Sequence, residues 1–142
     1  MSQLPLHGGC LCGAIRYELD APPGGAEYCH CAMCRKASGS AFSANAVVPA
    51  SALRVVSGLD SLKEYASSGN RRKCFCGNCG SQLFIRRGGD AQVVVVTLGS
   101  LDAGFVDAPR RHVFVGSKAA WHRIDGDLPQ YAVYPGCEPS GG

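Results

Sequence analysis

Three short cysteine clusters, GGCLCG (residues 8–13), YCHCAMC (28–34) and KCFCGNCG (73–80), restrict what this chain can fold into more tightly than any other feature. Each must bring several sulfurs to a common point. The chain has nine cysteines, an odd number, and its opening MSQLPLHGGC lacks the basic start and apolar stretch of a secretory leader. A reduced, cytoplasmic protein is the expectation, and a disulfide framework does not persist there. Metal binding then becomes the reason for the thiols.

Spacing says how the sulfurs can converge. In Cys76-Gly77-Asn78-Cys79 two residues separate the ligands, which makes a tight turn aiming both sulfurs at one ion, while Gly80 accepts an unusual backbone angle. In extended chain, residues two apart share a face, so Cys10 and Cys12 lean together with Leu11 turned away. Joined, the two pairs complete a four-sulfur site across a long loop whose closure entropy rises only logarithmically with length. Such a closed site is structural.

The middle cluster offers Cys29, Cys31 and Cys34, three thiolates from one segment. Three protein ligands with a vacant position is the arrangement of a catalytic zinc. A different partition stays open: the clusters hold eight cysteines, and Cys74 could close the middle site as a fourth ligand. Cys74 and Cys76 are two apart and in a strand face the same way, which favours the open arrangement. Cys137 stands alone.

Glycine and proline, 19 and 8 residues, punctuate the chain at intervals that suit short strands joined by turns. Alternation in AIRYEL puts Ile15, Tyr17 and Leu19 on one buried face. Strands are also expected over 42–48, 53–57, 62–65, 81–86, 91–98 and 112–115, with a hairpin turn at 87–90; only 32–38 and 117–121 read as helix. The predicted fold is mainly β: a single domain over residues 1–136, built of several small coiled antiparallel sheets tied by zinc, with one or two short helices. Residues 137–142 form a flexible tail.

Composition excludes some functions. The longest apolar run, Val93 to Val96, is too short to span a membrane. The formal charge of +3 counts every cysteine as neutral. Zinc held by four thiolates carries about −2 and by three about −1, which brings the net charge to roughly zero and removes most of the case for nucleic acid.

GGCLCGAIRYEL, CHCAMCRKASGSAF, FCGNCGSQLF, LGSLD and PRRHVFVGSKAAWHRIDGDLPQY, in that order, closely resemble the glutathione-dependent formaldehyde-activating enzyme family, related to centromere protein V. The resemblance implies a fold of coiled sheets and two zinc ions. It assigns Cys10, Cys12, Cys76 and Cys79 to a structural zinc and Cys29, Cys31 and Cys34 to the active-site zinc. It further implies the joining of glutathione and formaldehyde into S-hydroxymethylglutathione, which makes a small thiol and a small aldehyde the expected partners. A homodimer is compatible with it. Cys74 and Cys137 lie outside the family's metal pattern.

A zinc ion with three thiolates is electron-rich and polarises carbonyls weakly, yet it still lowers the pKa of a further thiol. The expected activity is therefore that of a carbon–sulfur lyase, forming or cleaving a thiol–aldehyde adduct. The competing reading is a zinc-stabilised binding module with a closed second site. Cations that could clamp glutathione carboxylates are Arg35, Lys36, Arg71, Arg72, Lys73, Arg86, Arg87, Arg110 and Arg111, although solvated surface charge is the ordinary role of each pair. His30, between two ligands, should point away from their metal, His112 reads as a satisfied strand-end histidine, and Trp121 reads as core.

Overall fold

The computed structural model describes residues 3–87, 92–105 and 107–136; Cys137, the expected tail and the expected turn beyond Arg87 lie outside them. The chain is mainly β, with ten strands and one α-helix among the described residues, and it forms two compact units. The first takes Met1–Gly24 and Ala46–Asp107, the second Gly25–Asn45 and Ala108–Gly142.

In the first unit, β1 (Leu6–Gly9), β2 (Arg16–Leu19) and β5 (Leu53–Ser57) form a three-stranded antiparallel sheet in the order β1-β2-β5. The alternation read in AIRYEL is realised: Ile15, Tyr17 and Leu19 are wholly buried. Also in this unit, β6 (Leu62–Ser68), β7 (Arg71–Cys76), β8 (Gln82–Arg87) and β9 (Val93–Thr97) pair in the order β9-β8-β7-β6, all antiparallel. Leu83, Phe84, Val94 and Val96 join Tyr17 and Leu19 in one core, and Tyr17 meets Phe84 edge to face at 5.8 Å. Burying such side chains contributes about 1.5–3 kcal/mol each. Cys10, Cys74 and Cys76 lie in the same core.

The second unit contains β3 (Gly24–Cys29) from Gly25 on, the helix α1 (Ala32–Ser38), and the two-residue strand β10 (His112–Val113). β4 (Ser43–Pro49) begins in this unit and ends in the first. β10 runs parallel to β3, with His112 opposite Tyr28 and Val113 opposite Cys29. An all-antiparallel fold was the expectation, and this pairing departs from it: the two strands lie more than eighty residues apart in sequence, so no hairpin dictates their direction.

The helix has the predicted bounds. The Cys31 sulfur accepts the Cys34 N–H at 3.3 Å at its start, and Gly39, at φ 66°, ends it by donating its N–H to the Arg35 carbonyl. The second expected helix, over 117–121, does not form; a 3-10 turn covers Val115–Ser117 instead. The strand predicted over 112–115 stops at Val113, because Phe114 takes a left-handed backbone, φ 57° and ψ 36°. Trp121 is a second correction: it is 74% exposed rather than core. The indole meets the His122 ring edge to face at 6.1 Å and is otherwise turned to solvent.

Candidate metal centres

Cys10 and Cys12 arrive on the turn after β1, Cys76 at the end of β7, and Cys79 in the turn that follows. Their four sulfurs all lie within 4.8 Å of one another. Sulfur to sulfur, Cys10–Cys12 is 3.6 Å and Cys12–Cys76 is 3.8 Å. A tetrahedral zinc with bonds of about 2.3 Å needs sulfur edges of about 3.8 Å. The donor set therefore fits a zinc-sized ion.

The local backbone points N–H donors at two of these sulfurs. Ile15 N–H donates to Cys10 Sγ at 3.2 Å and Asn78 N–H to Cys76 Sγ at 3.3 Å. Gly80, at φ 79°, closes the turn by donating its N–H to the Cys76 carbonyl at 2.8 Å. Ser81 is a residue the sequence reading missed. Its hydroxyl lies 3.2 Å from Cys79 Sγ and accepts the Leu11 N–H at 2.8 Å, so one side chain ties both ligand loops. That hydroxyl is the main cause that holds the Cys79 thiol down at about 5.

The second group is Cys29, Cys31 and Cys34, again within 4.8 Å of one another. Cys29 ends β3, Cys31 caps α1, and Cys34 sits one turn into the helix, so a strand-to-helix corner presents all three. Their hydrogen bonds divide the protons unequally: bonding to Cys29 and Cys34 drives Cys31 far below an ordinary thiol, while bonding to Cys31 and Cys34 raises Cys29 far above it. Among the described residues no fourth histidine, cysteine or carboxylate joins the group. Cys29 and Cys34 pack with Val113, and Phe114 and Tyr131 lie against that cluster.

Cys74 belongs to neither group. It is wholly buried in the first unit's core, its sulfur 3.8 Å from the Glu64 carboxylate, and burial pushes its thiol up to about 11. Glu64 in turn receives Arg86 at 3.0 Å. Of the other candidate cations, Arg111 donates from Nε and Nη2 to Glu27, and Arg35 donates to the Ser117 carbonyl at 3.2 Å.

His30 is wholly buried and stands outside both sulfur groups. Its Nε2 is 2.9 Å from His112 Nδ1, and its backbone N–H donates to the Val113 carbonyl. Around this pair the rings of Tyr28, Phe42 and His122 gather within 6 Å, which places three of the chain's four histidines in one aromatic cluster. The sequence singles out only His30 and His112 of this group, because Tyr28, Phe42 and His122 follow no metal spacing. Burial, then the neighbouring imidazoles, pushes His30 down to about 4 and lowers His112.

The sequence profile of the glutathione-dependent formaldehyde-activating enzyme family matches residues 5–117. The chain belongs to that family. A Halomonas elongata protein carrying the provisional name of glutathione-dependent formaldehyde-activating enzyme is 30% identical over 130 residues, covering 84% of this chain and 81% of the relative. A Rhodobacter sphaeroides protein of known crystal structure superposes with a TM-score of 0.58 at 29% identity, over 68% of this chain and 88% of that one. Membership in this family makes the chain an enzyme of the formaldehyde-activating type, and both cysteine groups fall inside the matched span.

Proposed function

We propose that this chain forms, and in reverse cleaves, a thiol–aldehyde adduct of the S-hydroxymethylglutathione type, a carbon–sulfur lyase activity. The observation that carries this reading is the count at Cys29, Cys31 and Cys34: three convergent sulfurs, with no fourth protein ligand among the described residues. The family and its Halomonas relative, whose name specifies glutathione and formaldehyde, support the substrates.

Cys10, Cys12, Cys76 and Cys79 would hold a structural zinc, and Cys29, Cys31 and Cys34 a second one. Bound there, such an ion would supply the chemistry that lowers the pKa of a further thiol toward neutral pH. In the reaction the substrate sulfur forms a bond to the aldehyde carbon, the C=O π bond breaks, and the new alkoxide takes a proton from water. No electrons leave the pair of substrates, so no redox cofactor is required.

The chain's own residues do the positioning. The Cys29–Cys31 segment is fixed by the His30 N–H bond to Val113 and by the His30–His112 contact. Because burial keeps both imidazoles neutral, they add no positive charge to compete with a cation beside them. Val113, Phe114 and Tyr131 cover the triad with apolar surface, which raises the strength of every charge interaction there. A cytoplasmic location accords with reduced thiols and a glutathione supply.

The test joins metal content to product. Zinc-loaded protein given glutathione and 13C-formaldehyde should form the hydroxymethyl adduct faster than the two compounds do in buffer. Cys34→Ser should lose one zinc per chain and the rate while keeping its fold; Cys76→Ser should lose the fold. A fully loaded protein that gives no rate above buffer rejects the reading, and so does a Cys34→Ser variant as unfolded as Cys76→Ser.

A further inference from the structure

Phe114 carries the one non-glycine backbone at positive φ among the described residues, and it follows directly on Val113, which packs with Cys29 and Cys34. A left-handed conformation is uncommon outside glycine, asparagine and aspartate, and for a bulky aromatic it is an outlier that persists only where the surroundings over-determine it. Here they do. The Phe114 N–H donates to the Val133 carbonyl at 2.7 Å, its carbonyl accepts the Ser117 N–H at 3.0 Å, and Val115 N–H reaches the Tyr131 carbonyl at 3.0 Å. The backbone alone would be served better by glycine. The side chain is what glycine lacks, and this half-buried ring, like Cys31, packs against the buried cluster of Cys29, Cys34 and Val113.

We propose that Phe114 is a specificity-determining residue: its ring walls the space beside the Cys29, Cys31, Cys34 group and admits thiols whose sulfur is carried on an unbranched CH2, as in a cysteinyl peptide, while rejecting branched ones. Tyr131 lies against the same cluster, and the Tyr134 ring is tilted beside Phe114 at 6.4 Å. Tyr134 is itself tied down by Arg111, which donates to its hydroxyl at 2.9 Å and stacks over its ring at 5.0 Å. The wall therefore rests on a chain of fixed groups rather than on one loose ring. This inference rests on the open-position reading above and adds a steric limit to it.

The test needs no turnover. Cobalt(II) replaces zinc in the wild type, in Phe114→Gly and in Phe114→Ala, and each protein is titrated with ethanethiol and with 2-methyl-2-propanethiol while the thiolate-to-cobalt and d–d absorption bands are followed. Wild type should favour ethanethiol by at least about tenfold, since each methyl group forced against a packed wall costs about 1–3 kcal/mol. Both variants should bind two cobalt ions per chain and bring the two thiols to within about threefold of each other. If both variants keep the wild-type ratio, the wall is elsewhere and the inference fails alone. If neither thiol perturbs the wild-type spectrum, no open position exists, and the function reading falls together with the inference. Should Phe114→Ala fail to fold, Phe114→Leu, which keeps some bulk, must give an intermediate ratio, and an unchanged one counts against the wall.

Discussion

Phe114 and its neighbours let backbone strain be measured separately from packing. Replacing the residue by alanine removes the ring but keeps a Cβ in the left-handed region, whereas glycine removes both. Alanine normally stabilises a chain relative to glycine by restricting its unfolded state; here the order should invert, with Phe114→Gly more stable than Phe114→Ala by about 1 kcal/mol in urea unfolding. Cys74 gives a second expectation at this scale. Its buried thiol, pushed up to about 11, should resist a thiol reagent in the native protein and react only on unfolding. The same residue shows what spacing can and cannot convey. That Cys74 stands two before Cys76 was plain, but its engagement with Glu64 depends on the β6–β7 register, which no local pattern records.

Among the elements, the junction after β5 has the least room for change. Gly58 sits at φ 78°, and a Cβ there would lie 1.9 Å from the Ala14 carbonyl oxygen. Gly58→Ala should therefore cost about 2–4 kcal/mol and broaden or lower the melting transition, whereas alanine at an open glycine such as Gly99 should not. Elements with a regular period were legible in advance. β2 announced itself by alternation, and the short segment 32–38 read as helix, whose Cys31 and Gly39 caps only the structure shows. The strands Leu6–Gly9, Gly24–Cys29 and Arg71–Cys76 carry no such pattern: they are rich in glycine, charge or cysteine and form because partners pair with them. Trp121 was read as core from its residue type alone, and residue type carries no position in the fold.

For the whole molecule, acid acts through the buried imidazoles. An unfolded histidine titrates near 6.5, while His30 is held at about 4 and His112 is lowered as well. Above pH 6.5 both states are neutral and nothing is lost. As the pH falls from there toward 4, the unfolded chain takes up protons that the folded chain refuses, so stability declines. Urea midpoints should thus drop between pH 7.5 and 5, and the drop should shrink in His112→Asn. Thiolate protonation acts on both proteins, so the difference between them isolates the imidazole. The convergence of the cysteines into two groups that could hold metal was readable from three motifs. The aromatic cluster around His30 was not, because it joins residues 28, 30, 42, 112 and 122 only after folding.

Each compact unit is assembled from two separated stretches of chain, and this bears on how the protein is made. On the ribosome, Cys10 and Cys12 emerge long before Cys76 and Cys79, and Cys29, Cys31 and Cys34 emerge long before β10, the strand that pairs beside them. For most of synthesis the nascent chain carries bare, unpartnered thiols. Oxidant stress during translation should therefore lower the yield of protein able to take up zinc far more than the same exposure after release, and pulse labelling with a thiol-specific reagent during synthesis would show it.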